Sequence, residues 1–299
     1  VISFIVPFFF LLSGYSMPWK ENVPFSTRVK KDFQRLLVPY FVYLLLSLPI
    51  YLFYLSELPI STVTRLIFYL DGYTICFNAP LWFLVALFEV KLLFHLFLYS
   101  KPKASYHAVV AILCLLTSWW IYSSGMSIRW MFGLNKALLM LPFFQLGFWM
   151  RRLSYPERMT RPTVCGISLL LTGSVLSYIF DLAWLPRRAL SVYSWHLNHF
   201  WGFILSAVLA CVGLLICCYK IPSTRLLDRI SRYTVFIMAT HYPFSILWKR
   251  FAANMTTPMI LISTALVWIS LSILYDLILR LWEKNKVMPT ILKDHHFNN

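Results

Sequence analysis

Nine stretches of this chain are too apolar to rest in water. They lie at about residues 1–18, 36–55, 81–99, 108–124, 131–150, 163–180, 201–219, 234–250 and 259–280. A helix needs about 20 apolar residues to cross the hydrocarbon core of a bilayer. Lipid offers no hydrogen-bond partner to an open strand, so each stretch must be helical. The composition agrees: 60% of the 299 residues are hydrophobic and 13% are charged, about half the charge of a soluble domain. The reading is an all-α, polytopic transmembrane helix bundle. Residues 1–280 form a single transmembrane domain, and 281–299 form a polar tail. Prolines at 7, 49, 142 and 243 predict kinks or irregular turns.

The net charge of +16 sets orientation. With the loop 19–35 in the cytoplasm, nineteen of the 27 Lys and Arg residues fall on that side. They include Arg28, Lys31 and Arg35, Arg151 and Arg152, and Arg225 and Arg229. Arg65, Arg129, Lys136, Arg187, Arg188, Lys249 and Arg250 fall outside, and Lys91 lies within a span. Every cytoplasmic loop then obeys the positive-inside rule. Basic residues set between apolar spans argue against nucleic-acid binding. The six cysteines show neither a disulfide framework nor zinc spacing.

One stretch ties both patterns together: Pro7 to Tyr40, PFFFLLSGYSMPWKENVPFSTRVKKDFQRLLVPY. An apolar run ends in Ser13-Gly14-Tyr15, a basic segment follows, and Arg35-Leu36-Leu37-Val38-Pro39-Tyr40 opens the next run. Downstream come Pro80-Leu81-Trp82-Phe83-Leu84, Leu141-Pro142-Phe143-Phe144 with Gly147, and Ile230-Ser231-Arg232-Tyr233 before His241-Tyr242-Pro243. In this order the pieces resemble the acyltransferase-3 family of integral-membrane O-acyltransferases.

The resemblance implies a ten-helix bundle, of which nine spans are present here. The chain starts at Val1 inside an apolar run, without the features of a signal peptide. It reads as N-terminally truncated by one helix. In the family that helix carries an arginine followed by a histidine, so the fragment as it stands is expected to be inactive. The implied activity moves an acetyl or related acyl group from a cytoplasmic donor to a hydroxyl of a cell-surface glycan or its lipid-linked precursor. Acetyl-coenzyme A is the expected co-substrate, with no bound cofactor or metal. A bacterial inner membrane is the expected location, with membrane lipids as partners. A transporter or flippase for a lipid-linked sugar is the alternative, although the repeated halves common in transporters are not visible.

Ionisable residues at membrane depth are functional candidates by default. His241 lies about seven residues into its span, and an imidazole there can take a hydroxyl proton near neutral pH. Glu89 lies in the run 81–99 with Lys91 and His95. Lys91 and His95 are four apart and share a face, from which Lys91 can snorkel to the cytoplasmic surface. Glu89 needs another partner, and His241 is the preferred one. These two are the candidate catalytic residues. Packing roles for both remain open.

Ser13, Arg28, Lys31 and Arg35 are the candidate donor site, since guanidinium groups bind phosphate bidentately. Plain topology also makes such a loop basic, and Gly14 is equally read as a turn glycine. The loop 181–200 offers Trp184, Arg187, Arg188 and Trp195 as acceptor-binding residues, for stacking on sugars and bonding hydroxyls. An interfacial aromatic belt has the same composition. His196 and His199 in that loop lack a third metal ligand.

Overall fold

The computed structural model describes residues 4–18, 23–54, 64, 78–99, 103–124, 131–155, 157–182, 199–219, 221–222, 224 and 234–251. Two compact units divide the chain at Ser223 and Thr224. The first holds α1 (Ile5–Tyr15), α2 (Phe25–Asp32), α3 (Val38–Tyr54), α4 (Trp82–Leu93), α5 (Ala104–Ser123), α6 (Leu134–Arg152), α7 (Pro162–Leu182) and α8 (Phe200–Tyr219). A wide π-helical turn, Phe33–Leu37, joins α2 to α3, and another, Phe94–Leu98, extends α4. In the second unit the described helix is α9, Thr234–Phe251, with Pro243 inside it.

Among the described residues the fold is all-helical, and four helices are long and apolar enough to cross a membrane: Ala79–Leu98, Ala104–Ser123, Pro162–Phe180 and Phe200–Tyr219. They coincide with four of the nine expected runs. Helices also form at α1, α3, α6 and α9, but α1 has 11 residues and α3 has 17, while α6 carries Lys136, Arg151 and Arg152. The run at 259–280 lies outside the described residues. Pro49, Pro142 and Pro243 sit inside helices. Pro7 is the third residue of α1, where the ring displaces no intrahelical hydrogen bond.

α1 and α6 meet through glycine. A Cβ on Gly14 would strike the carbonyl oxygen of Phe144, and one on Gly147 would strike the carbonyl oxygen of Leu11. This corrects the turn reading of Gly14. Helix α1 continues through it to Tyr15, and the missing side chain is what lets two backbones touch, as small residues do throughout membrane bundles. α7 and α8 form an antiparallel pair of the same kind. Gly166 and Gly173 of α7 lie against Gly213 and Ala210 of α8. Between α4 and α6, Phe94 is fully buried and meets the rings of Phe144 and Phe148 edge-on, at 5.1 and 4.9 Å between centroids.

Polar contacts gather several chain segments at one end. Arg151 Nη1 donates to the Tyr15 carbonyl at the end of α1, at 3.1 Å. Tyr99 Oη donates to the Pro18 carbonyl, and Tyr219 Oη donates to Glu157 at 2.9 Å. Among the described residues, the chain near Tyr15–Pro18, Tyr99, Arg151–Glu157 and Tyr219, four places expected to lie at the cytoplasmic side, therefore shares one end. A cation over the last carbonyls of α1 also suits the negative end of the helix dipole.

Candidate functional site

At that end the α2 segment lies across α4. Its sequence, FSTRVKKD, is amphipathic and basic, so it cannot enter lipid and rests at the helix ends. It closes a cavity of about 400 Å³ between α1, α2, the Phe33–Leu37 turn and α4, a size in the range of small-molecule sites. Ser13, Arg28, Lys31 and Arg35, the four residues singled out for a donor, all line it. Lys91, His95 and Tyr99 complete the opposite wall.

Arg28 is held in advance: its guanidinium carbon lies 3.5 Å from the Tyr99 ring centroid. Stacking restrains the cation on an aromatic face, and the planar fork of a guanidinium matches the geometry of an anion such as phosphate. Lys31 and Arg35 are exposed on the cavity wall. Arg35 belongs to the π-helical turn after α2, and His95 to the one after α4. Such turns recur at functional sites because the extra residue re-aims side chains.

The residue missed in the sequence is Asp32. It is buried at 8% exposure, with Oδ1 2.8 Å from Lys91 Nζ and Oδ2 2.9 Å from His95 Nε2. Burial pushes its carboxyl toward the neutral form. The hydrogen bond with His95 and the ammonium of Lys91 outweigh that, and hold it below the usual carboxylate range. The signal was present: Lys91 and His95 one turn apart on one face call for an acid, and the segment from 19 to 35 offers two, Glu21 and Asp32. Lys91 reaches this end, as snorkelling predicts, and finds a carboxylate there. On His95 the second ring nitrogen, Nδ1, is buried and has no hydrogen-bond partner among the described residues.

Glu89 faces elsewhere, as its spacing requires, and does not line the cavity. Its Oε2 is buried with no hydrogen-bond partner among the described residues. The cation acting on it is Lys136, which the loop count had put outside. Lys136 instead sits in the first turn of α6 at 3% exposure, 5.5 Å from the Trp82 ring centroid. An aromatic face makes an interior position more tolerable for its ammonium.

His241 is the eighth residue of α9. Its side chain, and so its pairing with Glu89, lies outside what is described. Trp184, Arg187, Arg188 and Trp195 also lie outside the described residues. His199, just before α8, accepts a hydrogen bond from the Gly202 N–H through Nδ1 at 2.9 Å and stacks on Phe180. That is a helix-capping role. Among the described residues no three His, Cys, Asp or Glu side chains converge as metal ligands.

Apolar helices and a cavity lined by basic side chains at one end thus make up the described part of the first unit. The family model described as an acyltransferase domain, of the acyltransferase-3 type, matches residues 1–278. The chain belongs to this family, and so to the membrane acyltransferases in general. No match was found among curated proteins or among solved structures.

Proposed function

We propose that this chain is the membrane domain of an O-acyltransferase. It would carry an acetyl or related acyl group from a cytoplasmic thioester, acetyl-coenzyme A, to a hydroxyl of a cell-surface glycan or its lipid-linked precursor. The observation that carries the donor half is the convergence of Ser13, Arg28, Lys31 and Arg35 on one cavity. Phosphates of the donor meet the cations, and the acyl end reaches toward the bundle. The positive-inside rule makes the cavity end cytoplasmic, in the inner membrane of a bacterial cell.

On the acceptor side, His241 is the proposed base, with Glu89 as its helper. The support is the place of His241 inside α9 and the buried oxygen of Glu89, which has no hydrogen-bond partner among the described residues. Trp184, Arg187, Arg188 and Trp195 are the proposed sugar-binding residues. His241→Gln keeps hydrogen bonding but cannot shuttle the proton. Loss of a general base costs about 10²–10⁴-fold in rate, and near-normal turnover per folded molecule ends that assignment.

The donor site is tested by Arg35→Ala in the intact protein. A hydrogen bond to a charged group is worth about 1.5–3 kcal/mol, so the donor KM should rise about tenfold or more while inserted protein stays constant. Equal loss of activity and of inserted protein would instead give Arg35 a purely topological role.

A further inference from the structure

We propose that the hydroxyl of Ser13 holds the neutral arm of the acyl donor, the amides and thioester carbonyl of its acyl-pantetheine end, and not its phosphates. This rests on the donor reading above and divides that site between two walls. Ser13 lies in the last turn of α1 and lines the cavity. The residues around it are fixed: Leu11 is fully buried, and Gly14 lies against the Phe144 carbonyl of α6. The hydroxyl is thus carried by a backbone pinned to another helix, as a preorganised contact requires.

A serine inside a helix commonly turns its hydroxyl back onto a carbonyl three or four residues earlier. Ser47, Ser174 and Thr240 donate in this way to Tyr43, Leu170 and Phe236, at 2.6–2.8 Å, and Ser206 donates to Phe203. The Ser13 Oγ makes no hydrogen bond among the described residues, and it keeps accessible surface. Ser16, on the same wall, spends its hydroxyl on the Ser13 carbonyl at 3.2 Å. Thr27 is exposed on α2, among the cations. Were Ser13 only a packing residue, its hydroxyl would be expected on the Phe9 carbonyl, four residues back.

The two walls differ in charge. Arg28, Lys31 and Arg35 come from α2 and the turn after it, and cations suit phosphate oxygens. A neutral hydroxyl both gives and takes hydrogen bonds. That matches amide and carbonyl groups, and it is the weaker partner for an anion where Arg28, Lys31 and Arg35 compete. An acyl-coenzyme A is divided in the same way, with phosphates at one end and amides and a thioester at the other. Such a donor lies across the cavity, its phosphates on α2 and its arm along the end of α1.

The experiment measures equilibrium binding to the intact protein in lipid nanodiscs, with no acceptor present. One probe is the acetonyl thioether of coenzyme A, which keeps the carbonyl but cannot transfer it. The other is adenosine 3′,5′-bisphosphate, which has phosphates and no arm, read directly or by displacement of the thioether. Ser13→Ala should weaken the thioether about two- to tenfold, the range for one neutral hydrogen bond, and leave the bisphosphate unchanged. Arg35→Ala should weaken both. Unchanged bisphosphate binding also shows that Ser13→Ala is folded. Should alanine disturb the packing, Ser13→Cys keeps nearly the same volume with a far weaker donor and should show the same selective loss. Equal loss of both probes, or no loss of either, overturns the proposal. If wild type binds both probes and Ser13→Ala binds the thioether equally well, only the role of Ser13 falls. If wild type leaves either probe unbound, the donor reading falls, and this inference with it.

Discussion

Helix α4 with its flanking turns, Ala79–Leu98, and helix α5, Ala104–Ser123, are each 20 residues long, and either could cross a membrane. The more apolar of the two, at mean hydropathy 2.0 against 1.6, is the one that carries Glu89, Lys91 and His95. The reason is what surrounds them: 56% of α4 is buried in protein, and 22% of α5. On α5 the residues Val109, Ile112, Leu113, Leu116 and Trp120 form an exposed stripe at helical spacing. A stripe that wide marks contact with lipid, and lipid accepts no charge without cost. On α4 the interior supplies partners, so ionisable groups survive among apolar ones. Hydropathy therefore ranks the helices in the wrong order for function. What matters is whether a helix faces protein or lipid.

The largest effects should come from breaking the support behind α4. Gly147→Leu would push a side chain into the Leu11 carbonyl and the Tyr15 amide, which are backbone and cannot yield. We expect no assembled protein, read by size-exclusion of detergent extracts. Ala108→Leu, an enlargement on the exposed face of α5, should assemble normally. Equal yields of the two would break the comparison.

A smaller pair tests packing alone. Phe94→Ala removes a fully buried ring from between Phe144 and Phe148 and should cost about 3–5 kcal/mol. Leu113→Ala, at 57% exposure, should cost within about 0.5 kcal/mol. Thermal unfolding in one detergent ranks them, and a penalty at Leu113 matching that at Phe94 would mean that α5 is buried by a partner.

Much of this was legible before any fold was known, because lipid permits so little. Helical runs, the shared end of the basic loops and the convergence of Ser13, Arg28, Lys31 and Arg35 all follow from apolar length and cation placement. The misses have one physical source: pairing between distant segments. Gly14 read as a turn because its need appears only when Phe144 arrives from α6. Lys136 read as a loop cation because Trp82, 54 positions earlier, is its ring. Asp32 was passed over because its partners lie 59 and 63 positions away. A sequence names the ionisable groups, but whether each is solvated, clamped or poised is decided by the fold.

The smallest expected effect is acid sensitivity, and it too separates α4 from α5. Asp32 titrates below its ordinary range in the fold, because His95 and Lys91 outweigh the effect of its burial. A carboxyl so depressed contributes stability that is complete above its unfolded value and is lost as pH falls through its folded value. Below that window the carboxylate's negative charge is gone from a cavity that Lys91, His95, Arg28, Lys31 and Arg35 also line. Repulsion then adds to the loss of the carboxylate, and α2 should lift from α4 while the spans stay folded. Limited trypsin digestion at the arginines and lysines of α2, after brief incubation at falling pH and return to neutrality under crosslinking, reports that lifting. Wild type should show a rise in cleavage on the acid side. Asp32→Asn should be cleaved more at neutral pH and change less with acid, because the titrating group is gone. Helix α5 has no acidic residue, so Leu113→Ala should follow the wild-type curve. A wild-type curve flat to the bottom of the carboxylate range would mean that Asp32 does not hold α2 in place.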